Sequence, residues 1–265
     1  MNQLIPAFLV LLCGLLFMPS DLCSQSIANS DKPSVIHVFV ALCDNANQGI
    51  VPVPASIGNG QDPHSNLYWG AGYGVRTYFS RSSRWKLIEK INKPAPHILE
   101  RCIFKHTNQN VLLVADAYDG AKIREAIIHF TAASAGHHST SVSLDTKEYQ
   151  AGGAADLVAY VGHNGLMEFD IPSPPPPLTS KKKDAIMLAC ISKGYFSPLL
   201  TKTGANPLLW TTGLMAPEAY TLEAAIQGWI EGKTDAEVQQ LAAAAYHKYQ
   251  KCGLRGAGRL LVTGK

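Results

Sequence analysis

Residues 35–42 (VIHVFVAL) are almost unbroken apolar, rich in β-branched and aromatic side chains, and stop at Cys43-Asp44-Asn45. A run without polar alternation fits a strand covered on both faces, as in a parallel sheet. The same pattern returns at 111–115 (VLLVA), 157–161 (LVAYV), 185–189 (AIMLA) and 207–212 (PLLWTT), and predicts four more strands. A further strand, at a sheet edge, is expected over 98–104. Helical spacing appears elsewhere. Trp85, Ile88 and Ile91 predict a short helix over 84–92, ended by Pro94 and Pro96. Asp119 is placed to cap a helix whose Ile123, Ala126, Ile127 and Phe130 share one face, with Gly136 as its stop. Leu222, Ala225, Ile226, Trp229 and Ile230 mark another helix, ended by Gly232. Thr234 and Glu237 form a T-x-x-E capping box ahead of Val238, Leu241, Ala242, Ala245 and Tyr249, and Gly253 stops that last helix.

Strands followed by helices, joined by right-handed crossovers, predict an α/β fold: a doubly wound, mostly parallel sheet flanked by helices. No internal repeat or domain boundary interrupts 25–265, which reads as a single domain. Two segments stand apart. Residues 46–85 are dense in Gly, Pro and Asn and read as one long loop. Residues 171–183 (IPSPPPPLTSKKK) read as an extended, solvated connection.

Composition narrows the picture. The chain of 265 residues is 46% hydrophobic and 16% charged, with a formal net charge of +3, as expected of a globular protein. Its one basic run, Lys181-Lys182-Lys183, has no interleaved aromatics, so no nucleic-acid partner is expected. The apolar run 4–18 is shorter than the roughly 20 residues of a membrane span. It is expected to be the core of a secretory signal peptide occupying 1–24 and cut between Ser24 and Gln25. The mature protein would then be secreted or periplasmic, with no stable membrane span. Of six cysteines, Cys43, Cys102, Cys190 and Cys252 would remain. Their spacing contains no CxxC pair and no zinc pattern, so no metal is expected. They read as buried small residues, with room for a disulfide in an exported protein. GAGYG lacks the strand-before, helix-after context of a dinucleotide site, and no cofactor is expected.

In an open parallel sheet, reactive groups collect beyond the carboxyl ends of the strands. Four apolar runs end there in Cys43-Asp44, Asp116, His163 and Cys190. A thiolate at Cys190 would attack acyl carbon, and an imidazole at His163 would move the proton. The oxyanion needs backbone N–H donors, and the amides of Asn164 and Gly165 are the nearest candidates. Gly165 would also let a substrate approach the backbone. Asp44 and Asp116, on the same edge, are candidates for an acidic pocket that takes a basic substrate side chain. Glu168 and Asp170 read as solvated loop charges, and His137-His138 as loop.

The order of "VAYVGHNG" and "IMLACIS" resembles the signature of the caspase, gingipain, legumain and clostripain group of cysteine peptidases. There, one apolar block ends in His-Gly and the next in Ala-Cys. The resemblance implies a caspase-like sheet with His163 as general acid/base, Cys190 as nucleophile and a polypeptide as substrate. The chain departs from that pattern at Asn164, which stands between the histidine and Gly165. The alternative that this departure favours is a non-catalytic binding protein on the same fold, with a protein partner.

Overall fold

The computed structural model describes Met1 and residues 32–264. The expected signal peptide, after Met1, lies outside the described residues. The described residues form ten strands and six α-helices. In chain order they are β1 (Ser34–Ala41), α1 (Val75–Arg81), β2 (Trp85–Ala95), β3 (Ile98–His106), β4 (Val111–Tyr118), α2 (Ile123–Ser134), β5 (Ser139–Leu144), β6 (Lys147–Gly152), β7 (Leu157–Val161), β8 (Asp184–Leu188), α3 (Ser192–Thr203), β9 (Asn206–Thr211), α4 (Ala219–Ile230), α5 (Asp235–Gln250), α6 (Leu254–Leu260) and β10 (Leu261–Val262). Eight strands form one sheet in the order β10-β9-β8-β7-β1-β4-β3-β2, while β5 and β6 form a separate hairpin. β4, β1, β7, β8 and β9 run parallel; β3 and β2 at one side and β10 at the other alternate in direction.

The central strand explains the unbroken apolar runs. Along β1, Ile36, Val38 and Val40 enter one core, shared with α1, α4, α5 and α6, while Val35, Phe39 and Ala41 enter the other, shared with α2 and α3. Both faces are covered by helices, so neither face of the strand carries polar positions in alternation. The expected α/β class and mostly parallel sheet are therefore present. The T-x-x-E capping box at the start of α5 also forms, with the Thr234 and Glu237 side chains reciprocally bonded. Among the described residues no helix is long and apolar enough to cross a membrane.

Several local expectations are corrected. Residues 84–92 are not helical: Arg84 lies in a turn and 85–92 lie in β2, the strand at one edge of the sheet. The reason is a register shift between Leu87 and Glu89. Strict alternation would put Trp85 and Ile91 on one face, but the bulge sends Trp85 to the first core and Ile91 to the second. The apolar spacing of three then imitates a helix. Pro94 is tolerated because β2 is an edge, and Lys86, Lys90 and Lys93 protect that edge. β3 lies inside it, between β2 and β4. The long loop contains α1. The hairpin β5–β6, α3, α6 and β10 were not expected. All four described cysteines are free, so no disulfide joins them.

Candidate active site

β7 and β8 are neighbours in register, with Val161 opposite Leu188. His163 and Cys190 each follow that pair by two residues, so parallel strands bring them to the same level of the same edge. The chain then leaves the two strands differently. After β7, Gly162 adopts φ 151°, and a Cβ there would lie 2.9 Å from the Ala41 carbonyl oxygen. Asn164 next caps a single 3₁₀ turn, Gly165–Met167, its side-chain oxygen accepting the Leu166 N–H. After β8, Cys190 is followed by Ile191 in the left-handed region (φ 50°, ψ 33°), and α3 begins at once. That conformation is costly for a β-branched residue and needs its surroundings to hold it. Here Ile191 N–H donates to Gly213 O at 2.9 Å, and Ser192 is fixed through Met187 O and the Thr211 hydroxyl. The turn leaves Cys190 half-buried at the head of a helix.

Asn164 joins the two strand ends. Its Nδ2 donates to the Cys190 carbonyl oxygen at 2.7 Å. The residue that departs from the His-Gly pattern thus clamps the histidine loop to the cysteine turn. The backbone N–H groups of Asn164 and Gly165, both buried residues, donate to no other group among the described residues. Gly165 has a different reason from the expected one. A Cβ there would lie 2.5 Å from Phe169 Cζ, so the missing side chain makes room for the Phe169 ring rather than for a substrate.

His163 is buried and its Nε2 contacts Glu168 Oε1. The same oxygen accepts Gly49 N–H at 2.8 Å, and a Cβ on Gly49 would fall 2.4 Å from it. Glu168 is therefore not merely a solvated charge. It is held by the loop after β1 and takes one ring nitrogen, leaving Nδ1 as the nitrogen available to exchange a proton with a thiol. The Cys190 Sγ lies 3.4 Å from Met215 N and 3.6 Å from Met215 O, in the loop after β9. No hydrogen bond joins Cys190 to His163 among the described residues. Sequence reasoning missed Glu168 and Gly49 because a lone carboxylate five residues past a histidine has no distinguishing pattern.

The other thiols differ. Cys43 and Cys102 are fully buried, and burial pushes them up to about 11 and about 12, so both stay protonated. Cys252 is exposed after α5. Among the described cysteines, only Cys190 combines partial access with a strand-end position beside a histidine loop.

Asp44 and Asp116 do not form the expected acidic pocket. Asp44 accepts from Ala46 N, Asn47 Nδ2 and Gln61 Nε2, and Gly60 and Gly120 press so closely that a Cβ on either would lie within 2.6 Å of its side chain. Burial raises its carboxyl, but the bonds from Gln61 and Asn47 outweigh that and hold it low. It organises the loop and has no room for a lysine or arginine. β4 extends past residue 115 to Tyr118, so Asp116 lies within the strand and is fully buried. Arg101 Nε and Nη2 reach its two oxygens at 2.6 and 2.7 Å. His37 accepts Gly152 N–H at Nδ1, which leaves the ring proton on Nε2 to donate to Asp116 Oδ2 at 3.0 Å. Both oxygens are used.

His138, read as loop, stacks on His129 with centroids 3.8 Å apart, next to this group. Burial, then His138 and His97, push His129 down to about 4, and burial and His37 also lower His138. Both rings are neutral in the native state, while unfolded histidine takes a proton near 6.5. Their contribution is complete above pH 6.5 and is lost as pH falls from 6.5 towards 4. With partial exposure discounted, the urea-unfolding free energy should drop by about 1–2 kcal/mol between pH 7 and pH 4.5. His129→Leu should flatten that slope; an unaltered slope would remove His129 as its source.

Among the described residues no group of three His, Cys, Asp or Glu side chains is placed to hold a metal ion. Comparison of the chain with protein-family models, curated proteins and solved structures returns no match.

Proposed function

We propose that the chain is a caspase-like cysteine endopeptidase acting on polypeptides, with Cys190 as nucleophile and His163 as general acid/base. The observation that carries this reading is the level placement of His163 and Cys190 beyond the paired ends of β7 and β8, joined by the Asn164 clamp. In the reaction, Cys190 Sγ forms a bond to the peptide carbonyl carbon as its proton passes to His163 Nδ1. The carbonyl oxygen becomes an oxyanion facing the N–H groups of Asn164 and Gly165. Collapse breaks the C–N bond, the amine leaves with the proton from His163, and water, deprotonated by His163, hydrolyses the thioester. In this reading Glu168 takes Nε2 and leaves Nδ1 for the thiol, and Gly49 holds Glu168.

A peptide carrying a thiol electrophile should label Cys190 and leave the more exposed Cys252 largely unlabelled, while a small non-peptide alkylator labels Cys252 first. Peptide mapping reads both. Preferential labelling of Cys252 by the peptide reagent would end the enzyme reading. A non-catalytic binding protein is then the second reading, favoured by the missing His163–Cys190 hydrogen bond. Catalytic hydrogen bonds are often long before substrate binds.

A further inference from the structure

A cavity of about 540 Å³ opens at the opposite edge of the sheet from Cys190, where β7 and β8 begin. Its wall is built by the ends of α2 and α3, the segment before β7 and residues 177–183 of the connection before β8. That connection is pinned to the domain: Leu178 N–H donates to Ala135 O at 2.8 Å, and His137 Nε2 approaches Pro176 O at 3.1 Å. The volume is in the range that encloses small organic ligands.

Three lysines, Lys181, Lys182 and Lys183, and one carboxylate, Asp156, line it. Asp156 is already engaged, Oδ2 with Val35 N–H at 3.0 Å and Oδ1 with Lys181 Nζ at 3.2 Å. Lys183 is half-buried, yet its ammonium donates only to the Ala155 carbonyl oxygen. Among the described residues neither Lys182 nor Lys183 has an ion-pair partner. Burial, only partly offset by the nearby Asp156 carboxylate, pushes the Lys183 ammonium down to about 8. The C-terminal ends of α2 and α3 bring roughly half a negative charge each, screened within a turn. Two unpaired ammonium groups outweigh them. Pro177 and Leu178 supply an apolar wall, Leu178 being 63% exposed.

We propose that this cavity binds an amphipathic organic anion, its phosphate or carboxylate head between Lys182 and Lys183 and its apolar body against Pro177 and Leu178. The site is separate from the His163–Cys190 edge and does not depend on the peptidase reading. Octyl phosphate, octanoate and inorganic phosphate, titrated calorimetrically into the full chain, test it. One or both octyl compounds should bind with a stoichiometry of one, and at least tenfold more tightly than inorganic phosphate. The tighter octyl compound identifies the head group. Lys182→Ala with Lys183→Met, which keeps the buried stem, should weaken that binding at least tenfold. Leu178→Glu, at an exposed position, should do the same by placing a negative charge at the apolar wall. Absence of saturable binding by either octyl compound overturns the proposal, as does affinity that is unaltered in both variants.

Discussion

His163→Ala is expected to lower kcat for peptide cleavage by roughly 10²- to 10⁴-fold, the usual range for removal of a general acid/base. KM should change much less, because the ring binds the moving proton rather than the peptide. Cys190→Ala should leave only the residual labelling of the exposed Cys252 by the peptide electrophile. Glu168 acts one step further back, so Glu168→Gln should cost about 10- to 100-fold. Glutamine keeps an oxygen near Nε2 but can also donate, and so no longer selects the tautomer that leaves Nδ1 as the base. An unaltered circular-dichroism spectrum and urea-unfolding midpoint, beside a fall in kcat with little change in KM, separate this from loss of folding. Gly49→Ala supplies an independent check. Its new Cβ would fall 2.4 Å from Glu168 Oε1, so it should displace the carboxylate and reproduce the fall in kcat of Glu168→Gln. Full kcat in His163→Ala beside inactive Cys190→Ala would make the histidine structural and sink the dyad.

The central sheet was legible because burial on both faces removes polar alternation, and β1, β4, β7, β8 and β9 all show such runs. The edge was illegible for the opposite reason. β2 is half exposed and bulged, so its apolar residues follow neither a strand nor a helix period. α3 was hidden because Pro198 sits inside it and its outward face is polar, leaving only Phe196 and Leu200 fully buried among its large apolar residues. The site was legible to the same extent as the sheet. His163 and Cys190 are placed by the ends of recognisable strands, whereas Glu168 and Gly49 meet only because two loops fold together over 119 positions of sequence. Asp116 shows the cost of a short boundary. Ending β4 at residue 115 turned a carboxylate inside the sheet into one at its rim.

That carboxylate supports the second large effect. Arg101→Met should destabilise the fold by about 3–5 kcal/mol at pH 7, the range for removing one partner of a buried charge pair. Wild-type Asp116 is pushed up by burial, but Arg101 and His37 outweigh this and hold it at about 2. Its contribution is therefore present above the unfolded value near 3.9 and is lost as pH falls towards 2. Without the guanidinium, burial dominates and the native carboxyl rises above its unfolded value. The sign then reverses: the native state of the variant takes up a proton more readily than the unfolded chain, and its stability gains as pH falls through that range. The deficit of Arg101→Met against wild type should accordingly be smaller at pH 5 than at pH 7 in urea unfolding. Asp116→Asn added to Arg101→Met should recover part of the loss at pH 7, because no buried charge is then left unpaired. Arg101→Lys should cost less, about 1–2 kcal/mol, since an ammonium keeps the charge but cannot span both oxygens as the fork at 2.6 and 2.7 Å does. An Arg101→Met deficit under 1 kcal/mol, or one that grows as the solution is acidified from pH 7 to pH 5, would show that Asp116 is not held ionised by Arg101. The pair sits on β3 and β4, which β1 separates from the strands that carry His163 and Cys190, so its loss should lower activity only in proportion to the fraction unfolded.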